Sequence, residues 1–158
     1  MRIDEVYIED FKNLKKFSID IDKSSMNTVF LGQNATGKSN FLEAIVLIFK
    51  YLDLSTDQKR KFPNFKYKIK YQCRERKMEI DYISRTYQIL VDEKKTNFNC
   101  FFSSIGKNKY LPKYVFSYYS GVSDRLDRIF WDHQKNFYDK IKSADYDKTD
   151  LDDLRRLF

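Results

Sequence analysis

Cysteine, glycine and histidine are all scarce in this 158-residue sequence, and each shortage narrows what the chain can be. Two cysteines, Cys73 and Cys100, cannot build a disulfide framework and fit a reducing compartment. They stand singly, with no neighbouring His–Cys pattern, so a metal site of zinc type is not expected. The only histidine, His133, sits between Asp132 and Gln134 and reads as an ordinary helix residue rather than a catalytic one. The longest uninterrupted apolar run, Ala44–Phe49, is six residues, far short of a membrane span. The opening Met1-Arg2-Ile3-Asp4-Glu5 carries two acids and no apolar core, unlike a signal peptide. What is abundant points the other way: 17 % aromatic and 42 % hydrophobic residues supply a core that a disordered tail lacks. The expectation is one soluble, cytoplasmic domain with no membrane contact.

The net charge is +7, unevenly spread. Between Lys59 and Lys77 lie nine basic residues and one acid, Glu75, while Ser143–Asp153 holds five aspartates and one lysine. The basic stretch is interleaved with Phe62, Phe65, Tyr67 and Tyr71 and is therefore a candidate for contact with a nucleic-acid backbone. Its competing reading is a solvated sheet face. Phe65, Tyr67, Ile69 and Tyr71 alternate with Lys66, Lys68 and Lys70, and Met78, Ile80 and Tyr82 alternate with Glu79 and Asp81. A tight turn at Arg74-Glu75 sets Lys70 opposite Glu79 and Lys68 opposite Asp81, whereas a one-residue slip faces lysines with Met78 and Ile80.

Three short strands are expected at the start: one marked by Ile3, Val6 and Ile8, a second by Phe17, Ile19 and Ile21, and a third over residues 27–31. Residues 40–52 are apolar nearly all round, as in a buried helix. The segment from Asp53 to Asn64, with Pro63, is the first clear loop. Further strands are expected over 85–91, 98–102 and 113–119. A helix follows from Ser123, with Leu126, Ile129, Phe130, Phe137 and Ile141 at helical spacing and Ser123 and Asp124 suited to cap it.

Between the third strand and the apolar helix, Gly32-Gln33-Asn34-Ala35-Thr36-Gly37-Lys38-Ser39 fits the phosphate-loop pattern G-x-x-x-x-G-K-[ST] in full. Such a loop turns successive backbone N–H groups inward to form a nest for phosphate oxygens, and the helix behind it aims its positive end at the same place. Lys38 would reach the β- and γ-phosphates and Ser39 would ligate Mg²⁺. Chance produces the pattern in roughly one chain of this length in 200. Two of only four glycines in the chain fall inside it.

Ile8-Glu9-Asp10-Phe11-Lys12-Asn13-Leu14, followed by Gly32–Ser39 and Asn40-Phe41-Leu42-Glu43-Ala44-Ile45, closely resembles the start of the SMC, RecF and OLD-like ABC ATPases. Residues 111–121 with Arg125-Leu126 look like restriction-associated and phage-defence members of that group. The resemblance implies an α/β P-loop NTPase fold, specifically the N-terminal lobe of an ABC-type ATPase head. It comprises a mixed sheet, an antiparallel β-hairpin region and a helical C-terminal part. Its parts are a P-loop core over 1–55, a β-rich segment over 65–119 and a helical segment over 123–158 that begins a second lobe. It also implies ATP and Mg²⁺ as cofactors, held by Gly32, Gln33, Asn34, Ala35, Thr36, Gly37, Lys38, Ser39 and Asn40, with Lys12 and Asn13 nearby. The implied partners are the remainder of the head, a second head in a homodimer or higher oligomer, DNA, and a nuclease or toxin effector.

Three features of that group are missing. Met78-Glu79-Ile80-Asp81 alternates instead of running apolar into Asp-Glu, so it is no Walker B strand, and Tyr119-Ser120-Gly121-Val122 is only a fragment of a Ser-Gly-Gly signature. No Gln at the lobe junction is evident after Tyr119. By itself such a lobe is expected to bind nucleotide weakly and hydrolyse little. Two other readings use the same residues: a small phosphotransferase of nucleoside-kinase type, for which residues 120–158 offer no compact Arg lid, and a DNA-binding module whose phosphate loop is structural.

Overall fold

The computed structural model describes residues 1–25, 27–56, 58–115, 125–142 and 156–157. The chain falls into two units, Met1–Leu111 and Pro112–Phe158.

In the first unit, β1 (Arg2–Phe11) and β2 (Leu14–Asp20) form an antiparallel hairpin about Lys12 and Asn13. Helix α1 (Lys38–Leu54) precedes β3 (Tyr67–Cys73), β4 (Arg76–Asp81), β5 (Gln88–Val91) and β6 (Lys94–Lys95). The sheet order is β2-β1-β3-β4-β5-β6, with each neighbouring pair antiparallel. β2 and β3 flank β1 and both run against it, so they are parallel to each other and α1 is their crossover.

The period-2 alternation divides the sheet into an apolar and a charged face. Val6, Ile8, Tyr67, Ile69, Tyr71, Met78, Ile80, Ile89 and Val91 are buried. Onto them packs α1, with Phe41 against Phe17 (ring centroids 5.5 Å apart) and Phe49 edge-on to Tyr71 (5.3 Å). Truncating a buried ring such as Phe49 to Ala would cost about 3–5 kcal/mol.

On the opposite face, the β3–β4 register places Lys70 opposite Glu79 and Lys68 opposite Asp81, as the alternation requires. The ammonium groups then settle on acids of both flanking strands: Lys68 on Glu79 (2.8 Å), Lys70 on Glu5 (2.6 Å) and Lys66 on Glu9 (3.2 Å). The hydrogen bond to Glu5 raises the Lys70 pKa above the ordinary lysine value. The strand half of the basic stretch is thus a charge-paired sheet face.

Three expected strands differ from the structure. Residues 98–102 are helical: α2 (Phe98–Phe102) begins where the Asn97 side chain accepts the Asn99 N–H, and α3 (Ser104–Tyr110) where Ser103 Oγ accepts the Gly106 N–H. These caps turn Phe101 and Phe102 into the core, Phe101 stacked on Tyr110 and Phe102 beside Tyr87. Gly106 is required between them, since a Cβ there would lie 1.9 Å from the Cys100 carbonyl oxygen. The strand expected from Arg85 starts at Gln88, because Arg85 takes a left-handed conformation (φ 60°) that a strand does not allow. Residues 27–31 form no ladder among the described residues, and Val29 and Leu31 are 78 % and 91 % exposed. Their sequence is strand-like, but a strand exists only where a neighbour supplies hydrogen-bond partners.

In the second unit, β7 (Tyr114–Val115) pairs in parallel with β8 (Arg156–Leu157), and α4 spans Arg125–Lys142 with Ile129 and Phe130 buried as their spacing requires. The rest of the strand expected over 113–119, the caps Ser123 and Asp124, and the acidic tail lie outside the described residues. Among the described residues no helix is long and apolar enough to cross a membrane, and no acid, His or Cys cluster could hold a metal ion. Cys73 is buried, Cys100 is exposed, and both are free thiols.

Candidate phosphate-binding site

The motif residues lie where the β1–β2 turn meets the start of α1. Residues 32–36 are an exposed loop, and the helix begins at Lys38 without a side-chain cap or an acid in its first turn. Its leading N–H groups are therefore not claimed by a capping side chain, which leaves them for an anion. Gly37 occupies the cap position with φ 104° and ψ 5°, a backbone shape that L side chains rarely adopt. Space is tight there too: a Cβ on Gly37 would sit 3.0 Å from both amide atoms of Asn13 and from Leu14 Cδ2, which would have to give way.

The loop is closed by its own lysine. Lys38 Nζ donates to the carbonyl oxygens of Gly32 (2.5 Å) and Gln33 (2.7 Å), and Thr36 Oγ1 donates to the same Gln33 oxygen (2.9 Å). Gly32 lies close under this arrangement, and a Cβ on it would fall 3.1 Å from Thr36 Oγ1. The ammonium thus rests at the mouth of the loop, where it can exchange carbonyl partners for phosphate oxygens. The Ser39 side chain is exposed at the start of the helix.

A second layer holds the loop from behind. Asn13 Nδ2 donates to the Ala35 carbonyl (3.2 Å), and Asn40 Nδ2 donates to Asn13 Oδ1 (2.7 Å). Ala35 itself is at φ 67°, so the loop departs from ordinary backbone at the point Asn13 grips. Beside it, Lys12 Nζ sits between the two carboxylate oxygens of Glu43 at 2.6 and 2.5 Å. Gly32–Asn40, Lys12 and Asn13 are therefore brought together in one site. Lys12 and Asn13 are engaged there with Glu43, Ala35 and Asn40. Glu43 has no expected task from the sequence, although it stands in the quoted Phe41-Leu42-Glu43-Ala44-Ile45 run; a carboxylate in the helix after the loop and a lysine in the facing hairpin were the available signal.

The uncapped helix start, the glycine-dependent loop, the lysine at its mouth and an antiparallel sheet crossed by α1 together define an α/β domain of the P-loop NTPase class. A family profile described as "AAA ATPase domain" matches residues 1–156, and the chain belongs to that family. Among curated proteins it is similar to the DNA replication and repair protein RecF of Lactobacillus acidophilus (42 % identity over 48 residues). It is also similar to that of Halothermothrix orenii (48 % over 48 residues). Each match covers 30 % of this chain and 12 % of the relative, so the chain spans only a small part of those relatives' length. Among solved structures, one of the recombination mediator protein RecF–ATP in the RecFOR pathway aligns over 95 % of this chain and 48 % of its own. The identity is 20 % and the TM-score 0.36.

Proposed function

We propose that this chain is the Walker A lobe of an ABC-type ATPase head that binds ATP·Mg²⁺ on residues 32–40 and works in DNA maintenance or anti-phage defence. The observation that carries the reading is the phosphate cradle: an exposed loop, left-handed Gly37 and an uncapped helix, with Lys38 held only by loop carbonyls. The residues fit the group. Backbone N–H groups of 33–38 would receive the phosphates, Lys38 would neutralise their charge, and Ser39 would contribute one hydroxyl to a Mg²⁺ otherwise bound by phosphate oxygens and water. Bound ATP would bridge two heads into a sandwich, and hydrolysis of its β–γ phosphoanhydride by water, giving ADP and phosphate, would release them.

The exposed strand-like segment 27–31 favours a head completed by a further lobe. Val29 and Leu31 present exposed apolar side chains, in a segment that forms no ladder among the described residues, which an added strand would cover. That lobe would also bring the acidic Walker B residues and the signature that this sequence lacks. The placement in DNA metabolism leans on the curated relatives, which are named as DNA replication and repair proteins. Anti-phage defence, and the switching of a nuclease or toxin effector, lean on the resemblance of residues 111–121.

Calorimetric titration of ATP·Mg²⁺ into the chain, beside Lys38→Ala, tests the proposal. Binding is expected and should be lost in the variant; equal affinity in both would remove the central claim. Phosphate transfer to a nucleoside would instead return the phosphotransferase reading.

A further inference from the structure

The net positive charge of the chain lies wholly in the first unit. Residues 1–111 hold 21 Lys and Arg against 14 Asp and Glu, whereas 112–158 hold nine of each. Much of that charge is answered: Lys66, Lys68 and Lys70 rest on acids of the sheet face, and Arg76 rests on Asp92. Lys59, Arg60 and Arg85 are exposed and form no ion pair among the described residues.

Two of these cations, Arg60 and Arg85, lie beside aromatic rings, and Lys59 precedes Arg60 in the chain. The Arg60 guanidinium lies over the Phe98 ring (4.5 Å to the centroid). Phe62, 37 % exposed, is stacked on Tyr82 (4.9 Å, 11° between planes). Tyr82 and Arg85, together with Asn64 and Lys66, line a cleft of about 220 Å³. The loop that carries Lys59–Phe62 is tied down rather than free. Buried Ser55 exchanges hydrogen bonds with both backbone groups of Lys61, the Tyr87 hydroxyl donates to the Lys61 carbonyl, and Thr56 pairs with Lys59. The surface is therefore already shaped before anything binds, which limits the ordering cost of binding.

We propose that this edge of the first unit is a binding site for single-stranded nucleic acid. Bases stack on Phe62 and enter the cleft beside Tyr82, and Lys59, Arg60 and Arg85 meet the backbone phosphates. An exposed ring flanked by exposed cations matches a strand whose bases are unstacked and whose charge repeats along its length. A duplex keeps its base faces covered and could use only the cations. The proposal locates the nucleic-acid contact within the function inferred above but stands on this surface alone, because no residue of the phosphate loop takes part in it.

The test is fluorescence polarisation of a labelled fifteen-nucleotide thymidine strand with the full chain, titrated with salt, beside calorimetry with ATP. Three phosphate contacts on a single strand give a slope of log K against log salt near −2, from about −0.7 for each contact. Arg60→Glu with Arg85→Glu should weaken binding by about 10-fold or more at low salt and flatten the slope. Phe62→Leu, which keeps an apolar side chain on Tyr82, should weaken it by about 5–10-fold with the slope unchanged, since one stacked base is removed. Lys68→Gln, on the paired face, should bind as the parent does. Circular dichroism melts confirm that each variant is folded. Absence of binding at 50 mM salt, full affinity in the charge variant, equal affinity for a duplex, or equal displacement by polyglutamate would each overturn the proposal. A chain that binds the strand but not ATP would refute only the nucleotide reading, and one that binds ATP but not the strand would refute only this site.

Discussion

Asn13 and Asn40 are joined by a 2.7 Å hydrogen bond that ties the β1–β2 turn to the first turn of α1, while the other end of the Asn13 amide holds the Ala35 carbonyl at 3.2 Å. One side chain thus ties the middle of the phosphate loop to the helix that follows it. Asn13→Ala removes both bonds, each worth about 0.5–1.5 kcal/mol net, and leaves the left-handed Ala35 unsupported. ATP affinity should fall about 10-fold by calorimetry, with the melting temperature little changed because the site is exposed. Asn13→Asp keeps the acceptor for Asn40, loses the donor to Ala35 and adds a negative charge beside the phosphates. It should bind more weakly still, and equal affinities for the two variants would refute this account.

Gly37 is constrained twice, by φ 104° and by the 3.0 Å approach that a Cβ would make to Asn13 and Leu14. Gly37→Ala should therefore lose ATP binding and lower the melting temperature together, through strain on the order of 1–3 kcal/mol. Gly32 has no such backbone demand, and its Cβ would press only on Thr36 Oγ1 at 3.1 Å. Gly32→Ala should melt near the parent temperature. Thermal melts of the pair beside ATP titrations separate the two effects.

The features legible in the sequence are those written in side-chain period or in a spaced motif. The β3–β4 register could be read because lysine and acid alternate against Tyr67, Ile69, Met78 and Ile80, and a slip would have buried charge. The phosphate loop could be read because its chemistry demands glycine and lysine at fixed spacing. The turns were harder. In a glycine-poor chain the positive-φ positions fall to Lys12, Arg74, Glu75, Arg85, Asp92 and Glu93, which carry no Asn-Gly type signal. The Arg74-Glu75 turn could be inferred from the strands around it, and the one at Lys12 and Asn13 only from the family resemblance. The α2 helix was hidden by its β-favouring aromatics, although Asn97 and Ser103 are caps in plain view. Segment 27–31 shows the opposite limit: its local preference is for a strand, but pairing is a tertiary property, and the described residues offer it no ladder.

Lys12 reaches from the hairpin turn to Glu43 on α1, whose side chain is only 12 % exposed, so its ammonium is already engaged by a carboxylate beside the loop. Glu43→Gln would release the lysine and remove a negative charge near the phosphate site. ATP affinity should rise about 2–5-fold at low ionic strength, and the gain should shrink as salt screens the charges. Lys12→Ala should lower affinity or leave it unchanged. A fall in affinity on Glu43→Gln would instead mean that the ion pair is needed to keep the hairpin in place.

Asp92 links two turns of the sheet. Its carboxylate accepts from Arg76 (2.6 Å) and from the Lys77 backbone N–H (3.0 Å), and these bonds hold its pKa below the ordinary aspartate value of 3.8. The folded state then binds its proton less readily than the unfolded chain does. The stabilisation is therefore complete above the ordinary aspartate range and is lost as pH falls through the depressed folded value. Asp92→Asn isolates the charge, since asparagine tolerates the φ of 49° and keeps an oxygen for the Lys77 N–H. The variant should melt a few degrees below the parent at pH 7, by an amount that added salt reduces because the pair is exposed. That difference should persist down to about pH 4 and close at lower pH. A gap that stays constant into strong acid would show that Asp92 acts through turn geometry rather than through its charge.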